Sequence, residues 1–292
     1  MASIPEHLNH YLSKIFGLRL ITKKDFNHIY DAIIELNKYS HFYYLPNTLD
    51  VKKRVKEVYA LITPMKAREA SKIRVGNKHD GGYVCLDYLQ KVSSAVSLGI
   101  SNDVSWDLEI AKHNIDVFQY DYSVDGPPVQ NNRFKFYKLK VSGTDGPGAI
   151  SLNSIVKNHN IRAPASAFLK IDIEGDEWET FLSTSDEALD AFSQIVCEFH
   201  NFHLISDDGH FEKIISALRK LKDKFEVIHV HGNNCTPLLI CPGVGSLPQV
   251  MEISFANRSV FSFEKSNETF PGPLDAPCDP RHSDYFIDLP EL

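Results

Sequence analysis

The stretch Ala167-Phe-Leu-Lys-Ile-Asp-Ile-Glu-Gly-Asp-Glu-Trp-Glu-Thr-Phe181 decides the fold class of this chain. Its apolar first half ends in Asp172, which is the pattern of a buried parallel strand that reaches the surface at its carboxyl end. Gly175 breaks the extended run, and the carboxylates after it suit the positive end of a helix dipole. Trp178 and Phe181 would pack that helix against the sheet. The stretch therefore predicts a strand, a turn and a helix of an open α/β sheet.

The acids that end this strand are candidates for chemistry. In open α/β sheets, ligands bind just beyond the carboxyl ends of the strands, and Asp172 and Glu174 lie at such an end. An acid that ends a buried strand loses hydration at a cost in free energy unless it has a partner or a role. We therefore interpret Asp172 as a functional residue.

Four short motifs lie at predicted turns and strand ends. In chain order they are Asp80-Gly-Gly-Tyr-Val84, Ser97-Leu-Gly-Ile-Ser-Asn-Asp103, Leu169-Lys-Ile-Asp-Ile-Glu-Gly175 and Cys197-Glu-Phe-His200. Together they resemble the FkbM-like S-adenosylmethionine-dependent methyltransferases, in the branch that contains the methyltransferase-like 24 proteins. The resemblance runs from about residue 74 to residue 255. It implies an α/β fold with a Rossmann-like, seven-stranded methyltransferase sheet flanked by helices.

The turn after the first predicted strand, Ala95–Leu98, bears on the cofactor. The following strand, Val117–Asp121, ends in an acid that would accept hydrogen bonds from ribose hydroxyls. A dinucleotide requires the pattern G-x-G-x-x-G, whereas this turn has Gly99 alone, and Asp103 would repel a pyrophosphate. The turn therefore favours S-adenosylmethionine over a nicotinamide dinucleotide.

The candidate cofactor-binding residues lie around the first three strands and at the end of the strand that carries Asp172. They are Arg74, Gly81, Gly82, Gly99, Ser101, Asn102, Asp121, Tyr122, Ser142, Gly143 and Asp172. The two neighbouring glycines, Gly81 and Gly82, let backbone approach a ligand closely. Their residue pattern alone favours a simple hairpin turn, whereas the resemblance favours a loop that binds a ligand. Arg74 is a candidate for the methionine carboxylate, and the residues after the third predicted strand, 134–141, are candidates for the adenine by position.

The predicted fifth strand, Gln194–His200, carries Glu198 near its carboxyl end. Adjacent parallel strands lie roughly 4.8 Å apart, so Glu198 would lie beside Asp172. Methyl transfer to oxygen requires alignment of donor and acceptor and removal of a proton from a weakly acidic hydroxyl. We predict Asp172, Glu198 and His200 as the catalytic residues. A divalent metal ion would be another way to acidify the hydroxyl, and Asp172, Glu198 and His231 are its candidate ligands.

Three segments are expected along the chain. Residues 1–65 form an N-terminal helical extension, 66–260 the methyltransferase domain, and 261–292 a loop-rich surface tail. Within the domain, the sixth strand is predicted at Phe225–His231. The last strand, Val250–Phe255, is expected to close the sheet, antiparallel beside the sixth.

Two apolar series at helical spacing precede the first motif. They comprise Phe26, Ile29, Ile33 and Leu36, and then Val51, Val55, Val58 and Ile62. Asn47 or Thr48 would cap the second helix. Such added helices can form a lid, a substrate platform or a homodimer surface, and a packing appendage is the equal alternative.

Composition excludes several classes of partner. The chain has 292 residues and a formal net charge of −7, which argues against a nucleic acid held on a general basic surface. No stretch approaches the roughly twenty apolar residues of a membrane span, and the N-terminus lacks the order of a signal peptide. Five cysteines without a C-x-x-C pair favour reduced thiols. These features predict a cytoplasmic protein without a membrane span.

The combined interpretation is an S-adenosylmethionine-dependent O-methyltransferase that acts on a small-molecule or glycan acceptor. A hydroxyl of a sugar or glycan-containing substrate is implied by the resemblance alone. A non-catalytic methyltransferase-fold binding module that partners a glycan-assembly enzyme is an alternative, which the incomplete glycine turn favours. A nicotinamide oxidoreductase is a third hypothesis, and it rests only on the generic strand-turn-helix and on Asp121.

Overall fold

Strands whose side chains are buried on both faces form the centre of the fold. Every residue of Ala167–Ile171 and of Phe192–Phe199 is buried, which fits their near-continuous apolar sequence. The computed structural model describes residues 42–162 and 164–289. The chain divides into two compact units, residues 1–43 and 44–292. The architecture below is that of the second unit.

Helices alternate with single strands or runs of strands in the middle of this unit, and the two ends of the unit consist mostly of strands. In chain order the strands are β1 (Phe42–Tyr44, at the boundary of the two units), β2 (Met65–Ala67), β3 (Lys72–Gly76), β4 (Gly82–Leu86), β5 (Ser94–Leu98), β6 (Asp116–Tyr120), β7 (Phe134–Tyr137), β8 (Lys140–Val141), β9 (Ala149–Ile150), β10 (Ala167–Ile171), β11 (Phe192–Phe199), β12 (Phe225–Gly232), β13 (Leu238–Cys241), β14 (Gly245–Pro248), β15 (Met251–Asn257) and β16 (Phe263–Lys265). The helices are α1 (Leu49–Ile62), α2 (Ser105–Lys112), α3 (Leu152–Asn158), α4 (Glu177–Ser183), α5 (Asp186–Leu189) and α6 (Asp208–Lys224), and 3₁₀ turns lie at Leu89–Lys91 and Phe202–Ser206.

A mixed seven-stranded sheet has the order β12-β15-β11-β10-β5-β6-β7. Neighbouring strands from β11 to β7 run parallel. β15 lies antiparallel between β11 and β12. The predicted α/β sheet is therefore confirmed, and the last strand lies antiparallel beside the sixth strand, β12, as expected. The prediction that it closes the sheet is wrong, because β15 is inserted between β12 and β11. Every residue of β15 is buried, because strands pair with both of its edges and apolar clusters pack on both of its faces.

Alternate residues of the strands pack against different layers. On one face, Leu169 and Ile195 join an apolar core with the helices α1, α3, α4 and α6. On the other face, Phe168 and Val196 pack with α2 and the hairpin β3–β4. The carboxyl ends of the parallel strands stay open between these two layers.

The helix predicted from the second apolar series is confirmed as α1. Its apolar residues Val51, Val55 and Val58 are buried, and the side chain of Thr48 caps its N-terminus by accepting from the N–H of Val51 at 3.2 Å. The helix belongs to the main core, because it packs with α6 in the same apolar cluster. The first apolar series, residues 26–36, lies outside the described residues.

The C-terminal segment is rich in loops, but it is not confined to the surface as expected. Phe270, Cys278 and Tyr285 are buried. The side-chain amide of Asn234 donates to three carbonyl groups between Asp279 and Ser283. Two of the tail aspartates, Asp275 and Asp284, pair with the buried histidines His229 and His231 of β12. Among the described helices, none is both long and apolar enough to cross a membrane.

Candidate active site

A cavity of about 410 Å³ opens at the carboxyl ends of β5, β6, β10 and β11. This volume falls in the range of about 300–1,000 Å³ that small-molecule sites occupy. Nine of the sequence-predicted site residues line it: Gly81, Gly99, Ser101, Asn102, Asp121, Tyr122, Asp172, Glu198 and His200. Five others, Arg74, Gly82, Ser142, Gly143 and His231, are not among its lining residues.

The turn after β5 passes very close to the end of β10. Gly99 has a φ of +75°, and a Cβ there would overlap the carbonyl oxygen of Asp172. Only glycine therefore fits at this point. The carbonyl oxygen of Gly99 accepts a hydrogen bond of 2.7 Å from Nζ of Lys170, so the turn is fixed from both sides.

Asp121 holds the same turn from the neighbouring strand β6. Its Oδ2 accepts from the N–H groups of Ile100 at 2.9 Å and Ser101 at 2.8 Å, and its Oδ1 accepts from the N–H and hydroxyl of Ser123. Burial raises the pKa of Asp121, but these hydrogen bonds outweigh burial and lower it below its usual value. An ionised carboxylate therefore stands where the cavity meets the turn.

The loop between β3 and β4 forms the opposite wall. β3 and β4 pair as a hairpin, as the residue pattern alone predicted, and its loop also lines the cavity through Asp80 and Gly81. Asp103 ties this loop to the start of α2, because its carboxylate accepts from Nδ2 of Asn77 at 2.6 Å and from the N–H of Ser105 at 2.7 Å. The loop and the glycine turn are thus held together across the cavity mouth.

Arg74 and Gly82 shape this loop from behind. The guanidinium of Arg74 donates to the carbonyl oxygens of Asn77 at 2.8 Å and His79 at 2.7 Å. A Cβ on Gly82 would overlap the carbonyl of Asn77. Arg74 therefore supports the loop, and the structure does not bring it to the cavity where it was expected to hold a carboxylate.

The third predicted strand is split into two, and the adenine candidates after it, Ser142 and Gly143, consequently lie away from the cavity. β7 ends at Tyr137, and Lys140–Val141 turns away to pair with β9. Leu139, Lys140 and Val141 consequently line the cavity. The hydroxyl of Ser142 donates to the carbonyl of Thr144 at 2.8 Å instead.

Asp172 and Glu198 lie next to each other at the ends of β10 and β11, one residue beyond the paired Ile171 and Cys197. Burial raises the pKa of Asp172 to about 6, against the attraction of Lys170 and His200. Burial also raises the pKa of Glu198 to about 8, and the Asp172 carboxylate adds to that rise. Both carboxyl groups therefore hold a proton more readily than ordinary ones, and Glu198 more so than Asp172.

His200 is clamped by carboxylates on both ring nitrogens. Its Nδ1 lies 3.1 Å from Oε1 of Glu177, and its Nε2 lies 3.4 Å from Oε1 of Glu198 and 3.5 Å from Oε2 of Glu174. Burial lowers the pKa of His200, but the bonds to Glu177 and Glu198 raise it to about 11. The ring is therefore an imidazolium that supports negative charge at the cavity wall.

Glu177 also holds the strained exit of β10. Glu174 and Gly175 both have left-handed φ angles, 59° and 110°. For a residue other than glycine, this conformation costs of order 1–3 kcal/mol, so the surroundings must enforce it. The buried Glu177 carboxylate does so by accepting from the N–H groups of Ile173 at 2.9 Å and Gly175 at 3.1 Å.

Four polar residues form one row across four neighbouring strands, which we call the polar row. It comprises Asp172, Glu198, Glu252 and His231. In the sheet, Glu252 is the direct partner of both Glu198 and His231, and opposed residues share one face. The cavity reaches only the first two members among these four.

The grouping of His231 with Asp172 and Glu198 as metal ligands does not match this arrangement. β15 separates β12 from β11, so Glu252 stands between Glu198 and His231. The donor atoms of Asp172, Glu174 and His200 do lie within 4.8 Å of one another at the cavity, and these three residues could hold a divalent ion.

Sequence reasoning missed three residues that organise the site. Lys170 is a buried cation in an otherwise apolar strand, and that exception was its signal. Glu177 looked like one of several acids that suit a helix N-terminus. The amide of Asn233 donates to the Glu198 carboxylate at 3.3 Å, and its position after β12 gave no signal.

Comparisons with known proteins give one family. A family model described as Methyltransferase FkbM domain matches residues 57–225, which is more than half of the chain. No curated protein matches the chain. Among solved structures, the chain is similar to a chain in the crystal structure of a fibrillarin/Nop5p complex. The two are 11% identical, the match covers 66% of this chain and 97% of that chain, and the TM-score is 0.33.

Proposed function

Because this chain belongs to the FkbM methyltransferase family, we propose that the cavity binds S-adenosylmethionine and that the protein methylates a hydroxyl of a sugar or glycan-containing acceptor. The observation that carries the proposal is Asp172, a carboxylate with a raised pKa at a strand end that borders the cavity. The acceptor class comes from the family resemblance and from the charge of the cavity.

The residues that would hold the cofactor surround the glycine turn. Asp121 lies at the end of β6, where an acid accepts hydrogen bonds from ribose hydroxyls in folds of this type. Gly99 has no side chain, so a ligand can approach the backbone of its turn closely. The cavity wall carries more carboxylates than cations: Asp80, Asp103, Asp121, Asp172, Glu174, Asp176 and Glu198 against Lys140, Lys170 and His200. Such a wall suits a positively charged sulfonium. When bound, S-adenosylmethionine supplies an electrophilic methyl group.

Asp172 is the proposed general base. Tyr83 donates to its Oδ2 over a long 3.3 Å, which leaves acceptor capacity on the carboxylate for a substrate hydroxyl. A base with a pKa of about 6 is largely ionised at neutral pH and still takes a proton more readily than an ordinary aspartate. His200 keeps negative charge stable beside it, and Glu198 positions His200.

The charge of the wall also selects the acceptor. Lys140 is paired with Asp176 at 2.6 Å, and the Lys170 ammonium donates to the Gly99 carbonyl. A phosphate or carboxylate on the acceptor would therefore meet carboxylates with no free cation among the lining residues. We propose a neutral hydroxyl compound as the acceptor.

The test is a calorimetric titration with S-adenosylhomocysteine, with NAD as the control. We expect micromolar binding of the first and none of the second. A screen of neutral, phosphorylated and carboxylated sugar acceptors then follows, with and without a chelator. Because both nitrogens of His200 already contact carboxylates, we expect turnover on neutral acceptors that survives chelation.

The contrary outcomes are distinct. If the protein binds no adenosyl compound, the fold acts as a binding module and the enzyme proposal fails. If it binds S-adenosylhomocysteine but a chelator abolishes turnover, a divalent ion at Asp172, Glu174 and His200 replaces the direct acid-base route. Methylation of anionic acceptors alone would overturn the charge argument.

A further inference from the structure

A second cluster of polar side chains lies at the other end of the polar row, sealed from the cavity. It consists of His231 on β12, Glu252 on β15, and Cys278 and Asp284 on the C-terminal segment, and we call it the closed cluster. His231, Glu252 and Cys278 are all buried. The cluster therefore joins two strands of the central sheet to the segment that covers them.

Its members touch one another at short distances. Nδ1 of His231 lies 3.0 Å from Oε2 of Glu252, and Nε2 lies 3.0 Å from Oδ1 of Asp284. The thiol of Cys278 donates to Oε1 of Glu252 at 3.4 Å. One donor atom from each of His231, Glu252 and Cys278 can be chosen so that all three lie within 4.8 Å of one another.

We propose that the closed cluster is a buried Zn²⁺ site in which His231, Glu252 and Cys278 supply three of the four tetrahedral ligands. Zinc takes nitrogen and oxygen ligands at about 2.0–2.2 Å and sulfur at about 2.3 Å, so tetrahedral ligand atoms lie roughly 3.3–3.8 Å apart. Small side-chain movements bring the three donors to that spacing. An imidazole, a carboxylate and a thiolate together form a donor set that favours zinc over calcium or magnesium.

Asp284 completes the arrangement from outside. A histidine that binds zinc usually directs its other ring nitrogen to a carboxylate, which fixes the ring and makes it a better ligand. Asp284 lies at Nε2 of His231 while Nδ1 faces Glu252.

The ion would bind the coordinating nitrogen of His231 and the sulfur of Cys278 in their deprotonated forms. Its entry would therefore release the protons that those two atoms carry, and it would bring two positive charges to a cluster that contains the carboxylates of Glu252 and Asp284.

The site would fix the C-terminal segment against the cavity wall. Asn233, Cys235 and Thr236 follow β12 directly and line the cavity. The hydroxyl of Tyr285, next to Asp284, donates to the carbonyl of Thr236 at 2.7 Å. Zinc at the closed cluster would therefore stabilise one wall of the cavity without touching a substrate there.

Metal analysis of the full chain tests the proposal. The protein is purified under reducing conditions with an affinity tag that contains no histidine, and zinc is measured by mass spectrometry after gel filtration. We expect about one zinc per chain, since buried sites of this kind bind tightly. Cys278→Ser should lose at least nine-tenths of it, while Cys241→Ser and Cys235→Ser, matched cysteine controls, should keep it. Glu174→Gln should also keep it, which separates the closed cluster from the cavity.

A spectroscopic measurement on the wild-type protein tests the proposal even if Cys278→Ser does not fold. Co²⁺ replaces zinc in the wild-type protein, and a thiolate-to-cobalt charge-transfer absorption in the near ultraviolet is expected. The proposal is overturned if the reduced wild-type protein contains no zinc and takes up neither ion. It is equally overturned if cobalt binds without that absorption, or if folded Cys278→Ser retains its zinc.

Discussion

His200 and His231 have the same immediate chemistry and opposite access to the cavity. Each imidazole contacts a carboxylate at both of its ring nitrogens. Both pKa values are raised by these partners in spite of burial. His200 borders the cavity, whereas His231 is buried under the C-terminal segment. The difference teaches that access to the cavity decides the role of a charged histidine at a strand end. At the cavity it can act on a ligand, and under the C-terminal segment it can only contact buried groups.

The two histidines are also linked through the sheet. Glu198 and Glu252 are directly opposed on β11 and β15, so the cavity end and the sealed end of the polar row are one strand apart. Replacements at the two ends should nevertheless have different effects. The cavity end should govern turnover, and the sealed end should govern stability.

The largest expected effect is on turnover at the cavity end. Asp172→Asn removes the proposed base and keeps its shape, so the methylation rate should fall about 100- to 10,000-fold. The midpoint of thermal unfolding should not fall, because a carboxylate whose pKa burial has raised is replaced by a neutral amide. Wild-type turnover would contradict the role of Asp172. Glu264→Gln, at a surface carboxylate beside Lys66, is the control.

Cofactor binding should depend on Asp121 at the same end. Asp121→Asn keeps the size of the side chain, but its amide nitrogen cannot accept from the turn N–H groups or from a ribose. We expect S-adenosylhomocysteine to bind about 10- to 100-fold more weakly by calorimetry. Asp116→Asn, at the opposite end of β6, should leave the affinity unchanged. Equal affinities for both variants would remove Asp121 from the cofactor site.

The sealed end should respond with a loss of stability. Asp284→Asn leaves the Nε2 side of His231 without its carboxylate, and we expect the free energy of unfolding to fall by about 1–3 kcal/mol. Denaturant unfolding measures this loss, and turnover of the folded variant should be retained. The exposed pair partner Asp125, changed to Asn, should have little effect on unfolding. Lost turnover with unchanged stability would reverse the assignment of the two ends.

The smallest expected effect is the pH dependence. With a pKa of about 6, Asp172 is mostly protonated at pH 5 and mostly ionised at pH 7, so kcat/KM should rise about tenfold over that interval. Far-ultraviolet circular dichroism at each pH excludes unfolding as the cause. A flat profile between pH 5 and 7 would show that another group removes the proton.

Local sequence patterns were sufficient for the main strand ends and the glycine turn at the cavity. The strand that ends at Asp172, the turn at Gly99 and the acid at Asp121 are each encoded within one short segment. Parallel strands bring their carboxyl ends to one edge, so the pattern also predicted that Asp172, Glu198 and His200 meet. The structure brings these residues together at the cavity.

Local patterns failed where the partner is distant in the chain. Nothing in the apolar run of β15 specifies which strands flank it, and its insertion removed His231 from the predicted metal set. Arg74 is a different case: its partners lie only three and five residues away, and its guanidinium donates to their carbonyls within the hairpin loop instead of reaching the cavity. The tail aspartates Asp275 and Asp284 looked like loop residues because their histidine partners lie 46 and 53 positions away in the chain.

The position of β15 also has a consequence for how the chain is made. Its neighbours β11 and β12 leave the ribosome before it does, and the space between them can be filled only after Met251–Asn257 has emerged. Until then, buried edges of both strands stay unpaired and open to other chains. Such long-range pairing slows folding and exposes apolar surface meanwhile. A nascent chain that stalls before residue 257 should therefore be the form that chaperones bind most strongly.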